Sequence, residues 1–262
     1  MKNTLISVMF FLLSVSGSMA HALDHGETLP FQPGERLVFE VRWEFIRAGE
    51  AVLEILPVED FEGEPCFHFV MTAKTTPFID VFYKVRDRYD AYTDVGMSHA
   101  LLYTKKKSGR RKKEIKVPFD WDKMESQYVA VGEDWKPISL LPNSFDPLSV
   151  FYAFRLNNLK VGKVLHAAVS DGKKCVMGSA VVLKRERIQV KGTDYDTFII
   201  EPDLKDVGGV FEKSKDAKIK IWVTADHRRI PVRFKSKVVV GSFVAELVSV
   251  EGLREVTKIT SD

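Results

Sequence analysis

The fold of this chain is decided by residues Ile219–Val250, IKIWVTADHRRIPVRFKSKVVVGSFVAELVSV. Apolar and polar residues alternate here with a period of two, the pattern of strands that bury one face. The alternating apolar residues are Ile219, Ile221, Val223, Val232 and Phe234. Polar residues 225–228 and the Gly241-Ser242 pair interrupt the alternation. We therefore predict three antiparallel strands joined by two short turns.

The same alternation continues outward from this stretch to the beginning of the strand-rich region. Leu37, Phe39, Val41, Trp43 and Phe45 alternate with mostly charged residues, which predicts a strand with one face on a core. Ala48-Gly49 then predicts a turn into a second strand that ends near Val58. Further strand-like segments follow at residues 66–74, 83–92, 101–106, 112–121, 126–131, 164–170, 175–190 and 195–201.

Two short helices are predicted between the strands. Thr76-Pro77 and Asp146-Pro147 each pair a capping residue with proline at the first helical position, which is a specific helix start. The second helix carries an apolar and aromatic stripe with helical spacing and ends at Asn157-Asn158. The stripe consists of Leu148, Phe151, Tyr152 and Arg155.

These elements predict a mainly β protein. We expect a single large curved antiparallel sheet, or an open or half β-barrel, with two short helices. No repeat, low-complexity linker or change of composition divides the chain, so residues 23–262 are expected to form one β-rich domain.

The first 22 residues resemble a secretory signal peptide. Lys2 precedes an apolar segment at Leu5–Leu13, and small residues around Ala20 and Ala22 suit cleavage. The apolar segment is shorter than the roughly 20 residues that span a bilayer. We therefore expect an exported, periplasmic protein. Its formal net charge of +3 is close to neutral and does not suggest nucleic acid as a partner.

A set of short motifs spread from about residue 30 to 252 resembles the exported bacterial family catalogued as domain of unknown function 3108. The motifs are Pro33-Gly34-Glu35, the strand Leu37–Trp43, Ala48-Gly49, residues 82–87, Asp146-Pro147-Leu148-Ser149 with Tyr152 and Arg155, residues 169–173, Ile221–Thr224 with Asp226, residues 229–232 and Gly241. The resemblance implies a curved antiparallel sheet, similar to the periplasmic carriers of lipoproteins, whose open half-barrel shelters an acyl chain under short helices. It implies no established activity.

Motifs for catalysis and for metal or cofactor binding are missing from the sequence. The six histidines are scattered without ligand spacing, and no HExxH, G-x-S-x-G, Walker A or GxGxxG pattern occurs. We therefore predict a non-enzymatic protein with no catalytic residues, metal or cofactor. Cys66 and Cys175 either form one disulfide, which an oxidising compartment would permit, or remain two small apolar residues.

A run of basic residues surrounds the predicted hairpin tip at Ser108-Gly109. It consists of Lys105, Lys106, Lys107, Arg110, Arg111, Lys112 and Lys113. Such a cluster can contact lipid phosphates or an anionic membrane surface. Alternatively, it is a solvated hairpin whose charges deter aggregation at a sheet edge.

Aromatic residues lie on or beside both predicted helices, and one more lies in the loop Gly208-Gly209-Val210-Phe211. The set consists of Phe78, Phe82, Tyr83, Phe151, Tyr152 and Phe211. These side chains either belong to an ordinary core that covers the sheet or line an apolar groove between the sheet and its helices.

Two functions follow from these expectations. The first is a periplasmic binding or carrier protein for a hydrophobic or lipid-like ligand, serving biogenesis of the cell envelope. The alternative is a structural or assembly factor that binds another envelope protein through a sheet edge. An open apolar cavity between helices and sheet would favour the first, and a filled core would favour the second.

Overall fold

The computed structural model describes residues 29–109, 112–205, 218–238 and 241–253. Within them the chain forms sixteen strands and two helices. The strands are β1 Arg36–Trp43, β2 Ile46–Ile55, β3 Glu59–Phe61, β4 Glu64–Thr75, β5 Arg86–Asp94, β6 Ala100–Ser108, β7 Lys112–Asp120, β8 Glu125–Ser126, β9 Val129–Ala130, β10 Ile138–Ser139, β11 Val164–Ser170, β12 Cys175–Val190, β13 Thr193–Pro202, β14 Lys218–Thr224, β15 Pro231–Val238 and β16 Gly241–Glu251; the helices are α1 Pro77–Asp80 and α2 Ser149–Arg155.

All sixteen strands belong to one antiparallel sheet. Its order is β10-β8-β7-β6-β5-β4-β2-β1-β16-β15-β14-β13-β12-β11, with β3 beside β4 and β9 beside β7. Strands that are neighbours in the chain are mostly neighbours in the sheet, except that β1 pairs with β16 in the middle. Among the described strands the sheet does not close on itself. The predicted mainly β fold with two short helices is therefore confirmed.

The three predicted strands at the end of the sheet-forming region are present as β14, β15 and β16. Ile221 lies opposite Phe234, and Phe234 lies opposite Ala245, so their side chains share one face of the sheet. The turn between β14 and β15 is held by Thr224, whose hydroxyl donates to Asp226 and accepts from the Ile230 N–H. The period-two pattern therefore predicted these elements correctly.

The predicted turn at Ala48-Gly49 is wrong, because the chain turns at Glu44-Phe45 instead. Glu44 has a φ of 50°, and it is held there by two hydrogen bonds with the Ser242 backbone. Gly49 lies within β2, where a Cβ atom would overlap the carbonyl oxygen of Lys74 on β4. Gly49 therefore allows β2 and β4 to approach each other closely and does not form a turn.

The helix α2 packs against the inner face of the sheet and fills much of the core. Tyr152 is buried and stacks on Phe69 of β4 with ring centroids 4.0 Å apart. The helix begins at Ser149, two residues after the predicted first helical residue Pro147, and its N-cap position is Leu148. The buried Asp146 carboxylate holds the turn that leads into the helix, because it accepts the N–H groups of Leu148 (2.7 Å) and Ser149 (3.0 Å).

The two cysteines do not pair. Cys66 is buried in β4, and Cys175 begins β12, where its sulfur lies 3.2 Å from the Ser144 hydroxyl. Neither helix in the described part of the chain has the length and apolar character needed to cross a membrane.

Candidate functional site

A deep apolar groove lies between α1 and the inner face of the sheet, where β1, β2, β4 and β16 end or begin. Its volume is about 760 Å³. The lining residues are Val41, Trp43, Ala48, Gly49, Glu50, Ala73, Lys74, Thr75, Ile79, Phe82, Tyr83, Val85 and Phe243. Pockets that bind small molecules usually have volumes of about 300–1,000 Å³, so the groove has the size of a ligand site.

The hollow exists because small and large residues are placed side by side on the inner face. Gly49 and Ala73 contribute little side-chain volume. Trp43 and Phe243 lie opposite each other on β1 and β16, and their rings stack with centroids 6.5 Å apart. The two aromatic rings form a wall, and the small residues leave the space beside it unfilled.

The helix α1 is fastened over the groove by its polar residue. The Asp80 carboxylate accepts hydrogen bonds from the Arg86 guanidinium at 2.6 and 3.2 Å and another from the Thr75 hydroxyl. The hydrogen bonds from Thr75 and Arg86 lower the pKa of Asp80, so the carboxylate stays charged. Thr76, predicted as the cap of this helix, makes no side-chain capping bond, although the helix does begin at Pro77.

The groove offers burial rather than reactive chemistry. Glu50 and Lys74 are the charged residues among those that line it, and they form an ion pair with each other at 2.8 Å. Within the described ranges, no three His, Cys, Asp or Glu side chains lie where they could jointly hold a metal ion. The arrangement suits an apolar ligand whose binding comes from surface removed from water.

The basic run lies on the predicted hairpin, formed by β6 and β7, but its side chains divide between the two faces of the sheet. Lys105 lies on the inner face, with its ammonium 4.7 Å from the centre of the Tyr89 ring. Burial lowers the pKa of Lys105 to about 8. Lys107 and Lys113 lie opposite each other, on the same face as Lys105, whereas Lys106 and Lys112 are exposed.

A second, smaller cleft of about 200 Å³ adjoins the groove beside this hairpin. It is lined by Tyr83, Lys84, Val85, Asp87, Lys107, Gly109 and Lys113. Tyr83 and Val85 line both spaces, so the cleft continues the groove toward the lysines. Of its lysines, Lys113 is paired with Glu133. The other predicted members of the basic run, Arg110 and Arg111, lie outside the described residues.

The structure separates the aromatic residues that the sequence placed in a single groove. Phe82 and Tyr83 line the groove, and Phe78 packs edge-on against Phe82 with ring centroids 5.8 Å apart. Phe151 and Tyr152 lie on α2, which is packed in the core, so neither reaches this groove. Phe211 lies outside the described residues.

The interpretation of one groove shared by both helices is therefore corrected to a groove under α1. Phe151 instead packs against Phe234 of β15 (5.7 Å), and Tyr152 packs against Phe69. The physical reason is that the apolar stripe of α2 is buried against the sheet, whereas α1 is held to the protein by polar contacts of Asp80.

Sequence reasoning missed the strand residues that make the groove. Trp43 and Phe243 are far apart in the chain, and only the pairing of β1 with β16 brings them together. The alternation of Val41 and Trp43 with charged residues indicated their inward direction. No local signal indicated that Gly49 and Ala73 would leave space beside them.

The fold is similar to that of a solved protein. The crystal structure of a β-barrel-like protein of domain of unknown function DUF1849 from Brucella abortus matches with a TM-score of 0.53 and 11% sequence identity, covering 86% of this chain and 99% of that one. At that identity the likeness concerns the fold alone. No curated protein matches the sequence significantly. The family described as "Protein of unknown function (DUF3108)" matches residues 38–248, and this chain belongs to that family.

Proposed function

We propose that this protein is a non-enzymatic binding or carrier protein for a hydrophobic, lipid-like ligand, and that it acts in the periplasm in biogenesis of the cell envelope. The observation that carries the proposal is the open apolar groove under α1. The signal-peptide pattern of residues 1–22 supports the compartment.

The groove supports an apolar chain as the ligand because its walls offer hydrocarbon and aromatic surface from five elements. Val41, Ile79 and Val85 supply aliphatic contacts, and Trp43 and Phe243 supply aromatic ones. Each Å² of apolar surface removed from water contributes about 25 cal/mol, so a chain laid along these walls gains affinity from area alone. The two charged residues in the lining, Glu50 and Lys74, form an ion pair with each other, so neither requires a polar group on the ligand.

The adjoining cleft supports a polar end on the same ligand. Lys84 and Lys107 line it, and Asp87 is the one acidic residue among its lining. An anionic head group placed there would meet more positive than negative charge. The geometry therefore favours an amphiphile with an anionic end over a neutral oil.

The experiment is quenching of tryptophan fluorescence by a brominated fatty acid. Trp43 lines the groove, so its emission is expected to fall as the probe binds, and Trp43→Phe is expected to lose that component of the quenching. Ala73→Trp fills the groove floor and is expected to abolish uptake. Val248→Trp places the same side chain on an exposed position of β16 and is expected to leave uptake unchanged.

Two outcomes oppose the proposal. If the wild-type protein neither takes up the probe nor carries co-purified lipid by mass spectrometry, it is not a lipid-binding protein. If Ala73→Trp binds the probe as well as the wild type does, the groove under α1 is not the site.

The assembly-factor alternative has a weaker structural basis in the edge strand β11. This strand ends the sheet, and its outer side is paired with a described residue only where Phe145 bridges to Val169. The remaining edge, from Val164 to Ala167, offers backbone groups to which an added strand would bind. Proline in place of His166 would reduce such partner binding and leave probe uptake intact.

A further inference from the structure

The helix α1 and the two residues that follow it, Val81 and Phe82, expose apolar side chains to solvent, whereas the polar Asp80 of the helix faces the protein. Phe78, Val81 and Phe82 are 59%, 80% and 67% exposed, whereas Asp80 turns inward to Arg86 and Thr75. Ile79 is the one apolar residue of the helix that lines the groove. This is the reverse of the usual helix on a sheet, which buries its apolar face.

A neighbouring turn adds to the same surface. Phe45, between β1 and β2, is 90% exposed, and the beginning of β2 that follows it lies beside the start of α1. There Thr76 donates its backbone N–H to the Ala48 carbonyl (2.9 Å) and its hydroxyl to the Arg47 carbonyl (3.3 Å). We name Phe45, Phe78, Val81 and Phe82 the apolar tip. Exposed apolar surface of this kind, concentrated at one end, marks an interaction site.

Positive charge flanks the apolar tip. Lys84 follows α1, and Gly109, just after β6, lies so close to it that a Cβ at Gly109 would overlap the Lys84 carbonyl oxygen. Lys84, Lys106 and Lys112 are exposed, and none of them has an ion-pair partner among the residues that the structure describes. The surface therefore combines protruding apolar side chains with exposed cations.

We propose that the apolar tip docks on the surface of an anionic phospholipid bilayer, inserting its side chains below the head groups while the lysines contact the phosphates. Apolar residues bordered by Lys and Arg are what binding to such an interface requires. The proposal goes beyond ligand binding and does not depend on it. It also places the mouth of the groove, bordered by Phe82 and Tyr83, at the lipid surface.

A second copy of this chain fits the same surface less well. Two-fold contacts bring the same patch of each subunit together, so a dimer formed through the apolar tip would also bring together the unpaired lysines of both copies. An anionic bilayer instead neutralises them. The charge on the tip therefore selects the membrane over self-association.

The test is co-sedimentation of the purified protein with vesicles of phosphatidylethanolamine and phosphatidylglycerol, compared with vesicles of phosphatidylcholine. We expect binding to the anionic vesicles, weakened by a rise from 0.1 to 0.5 M NaCl. Phe45→Ser combined with Val81→Ser, neither of which lines the groove, is expected to reduce binding by about tenfold or more. Lys106→Ser combined with Lys112→Ser is expected to reduce it by about fivefold per lysine.

A matched control is Val58→Ser combined with Val95→Ser, which removes two exposed apolar residues from turns at the opposite end of the sheet. The control variant should bind vesicles as the wild type does. All variants carry the same N-terminus, so a difference in vesicle binding between the tip variants and the control is caused by the apolar tip. Equal thermal midpoints establish that the variants fold. Phe45→Trp should show a blue-shifted emission on adding anionic vesicles.

Three outcomes would overturn the proposal. One is wild-type protein that stays with the supernatant; another is tip variants that sediment like the wild type. The third is a concentration-dependent dimer lost in Phe45→Ser/Val81→Ser, with no vesicle binding, which would make the tip a self-interface. Probe uptake is measured separately, so vesicle binding without uptake refutes the carrier function alone, and uptake without vesicle binding refutes only the docking.

Discussion

Arg155 on α2 donates hydrogen bonds to both carboxylate oxygens of Glu35, at 2.5 and 2.9 Å, although 120 residues separate them in the chain. Both side chains are only 2% exposed. The same guanidinium also donates to the backbone carbonyls of Pro30 and Arg228. One buried arginine therefore joins the chain entering β1, the helix α2 and the turn between β14 and β15.

Breaking this buried pair is expected to be costly. Arg155→Met leaves the Glu35 carboxylate buried without its partner, which typically lowers the free energy of unfolding by about 3–5 kcal/mol. Arg185→Met removes an arginine from an exposed pair with Asp196, where water screens the attraction, so a much smaller loss is expected. Urea unfolding measures both. Equal losses in the two variants would show that burial does not govern the Arg155–Glu35 interaction.

Gly49 is expected to tolerate no side chain. Gly49→Ala places a methyl group against the Lys74 carbonyl on the neighbouring strand and should destabilise the protein by about 1–3 kcal/mol. Gly178, on β12, is the matched control, because the nearest atom to an added Cβ lies 3.5 Å away, which is ordinary contact. Gly178→Ala should be neutral or slightly stabilising. Thermal unfolding that ranks the two variants the other way would contradict this packing.

The free energy of unfolding is expected to decrease as pH rises from about 4 to about 6, because of Asp146. Burial raises the pKa of this carboxyl to about 6, only partly offset by the hydrogen bonds from Ser149 and Leu148. Across that window the unfolded chain has released the proton and the folded protein has not, so the free energy of unfolding decreases as pH rises. Relative to Asp146→Asn, the wild type should lose about 3 kcal/mol by pH 6. A constant difference between wild type and variant across this range would contradict the assignment.

His68 is expected to contribute a second pH dependence, in a higher window. Burial disfavours its charged form, but hydrogen bonds to Asp90 (2.9 Å) and Glu59 (2.8 Å) outweigh it and raise the pKa of His68. The resulting stability is full below about pH 6.5 and is lost as pH rises through the folded-state pKa. An NMR titration should place the His68 midpoint above 6.5 in the wild type and lower in Asp90→Asn. A wild-type midpoint below 6.5 would mean that burial dominates.

The sequence by itself determined the class of fold, most of the long strands and the approximate positions of the two helices. Alternation in β1 and in β14 to β16 is a local pattern, and each strand could be read from its own residues. The turn at Asp146-Pro147 that leads into α2 was equally local, because the Asp146 carboxylate bonds only to Leu148 and Ser149. These features follow from the geometry of neighbouring residues along the chain, which the sequence states directly.

Only the tertiary structure decided where the groove lies and which way α1 faces. The turn at Glu44 depends on its hydrogen bond with Ser242. The groove depends on the pairing of β1 with β16 and of β2 with β4. The position of α1 depends on the ion pair between Asp80 and Arg86. Phe82 and Phe151 both appear in aromatic helical segments, yet one is exposed and the other packs in the core. Their difference arises because register and ion pairing between distant segments, rather than local hydrophobicity, determine which apolar surfaces find partners.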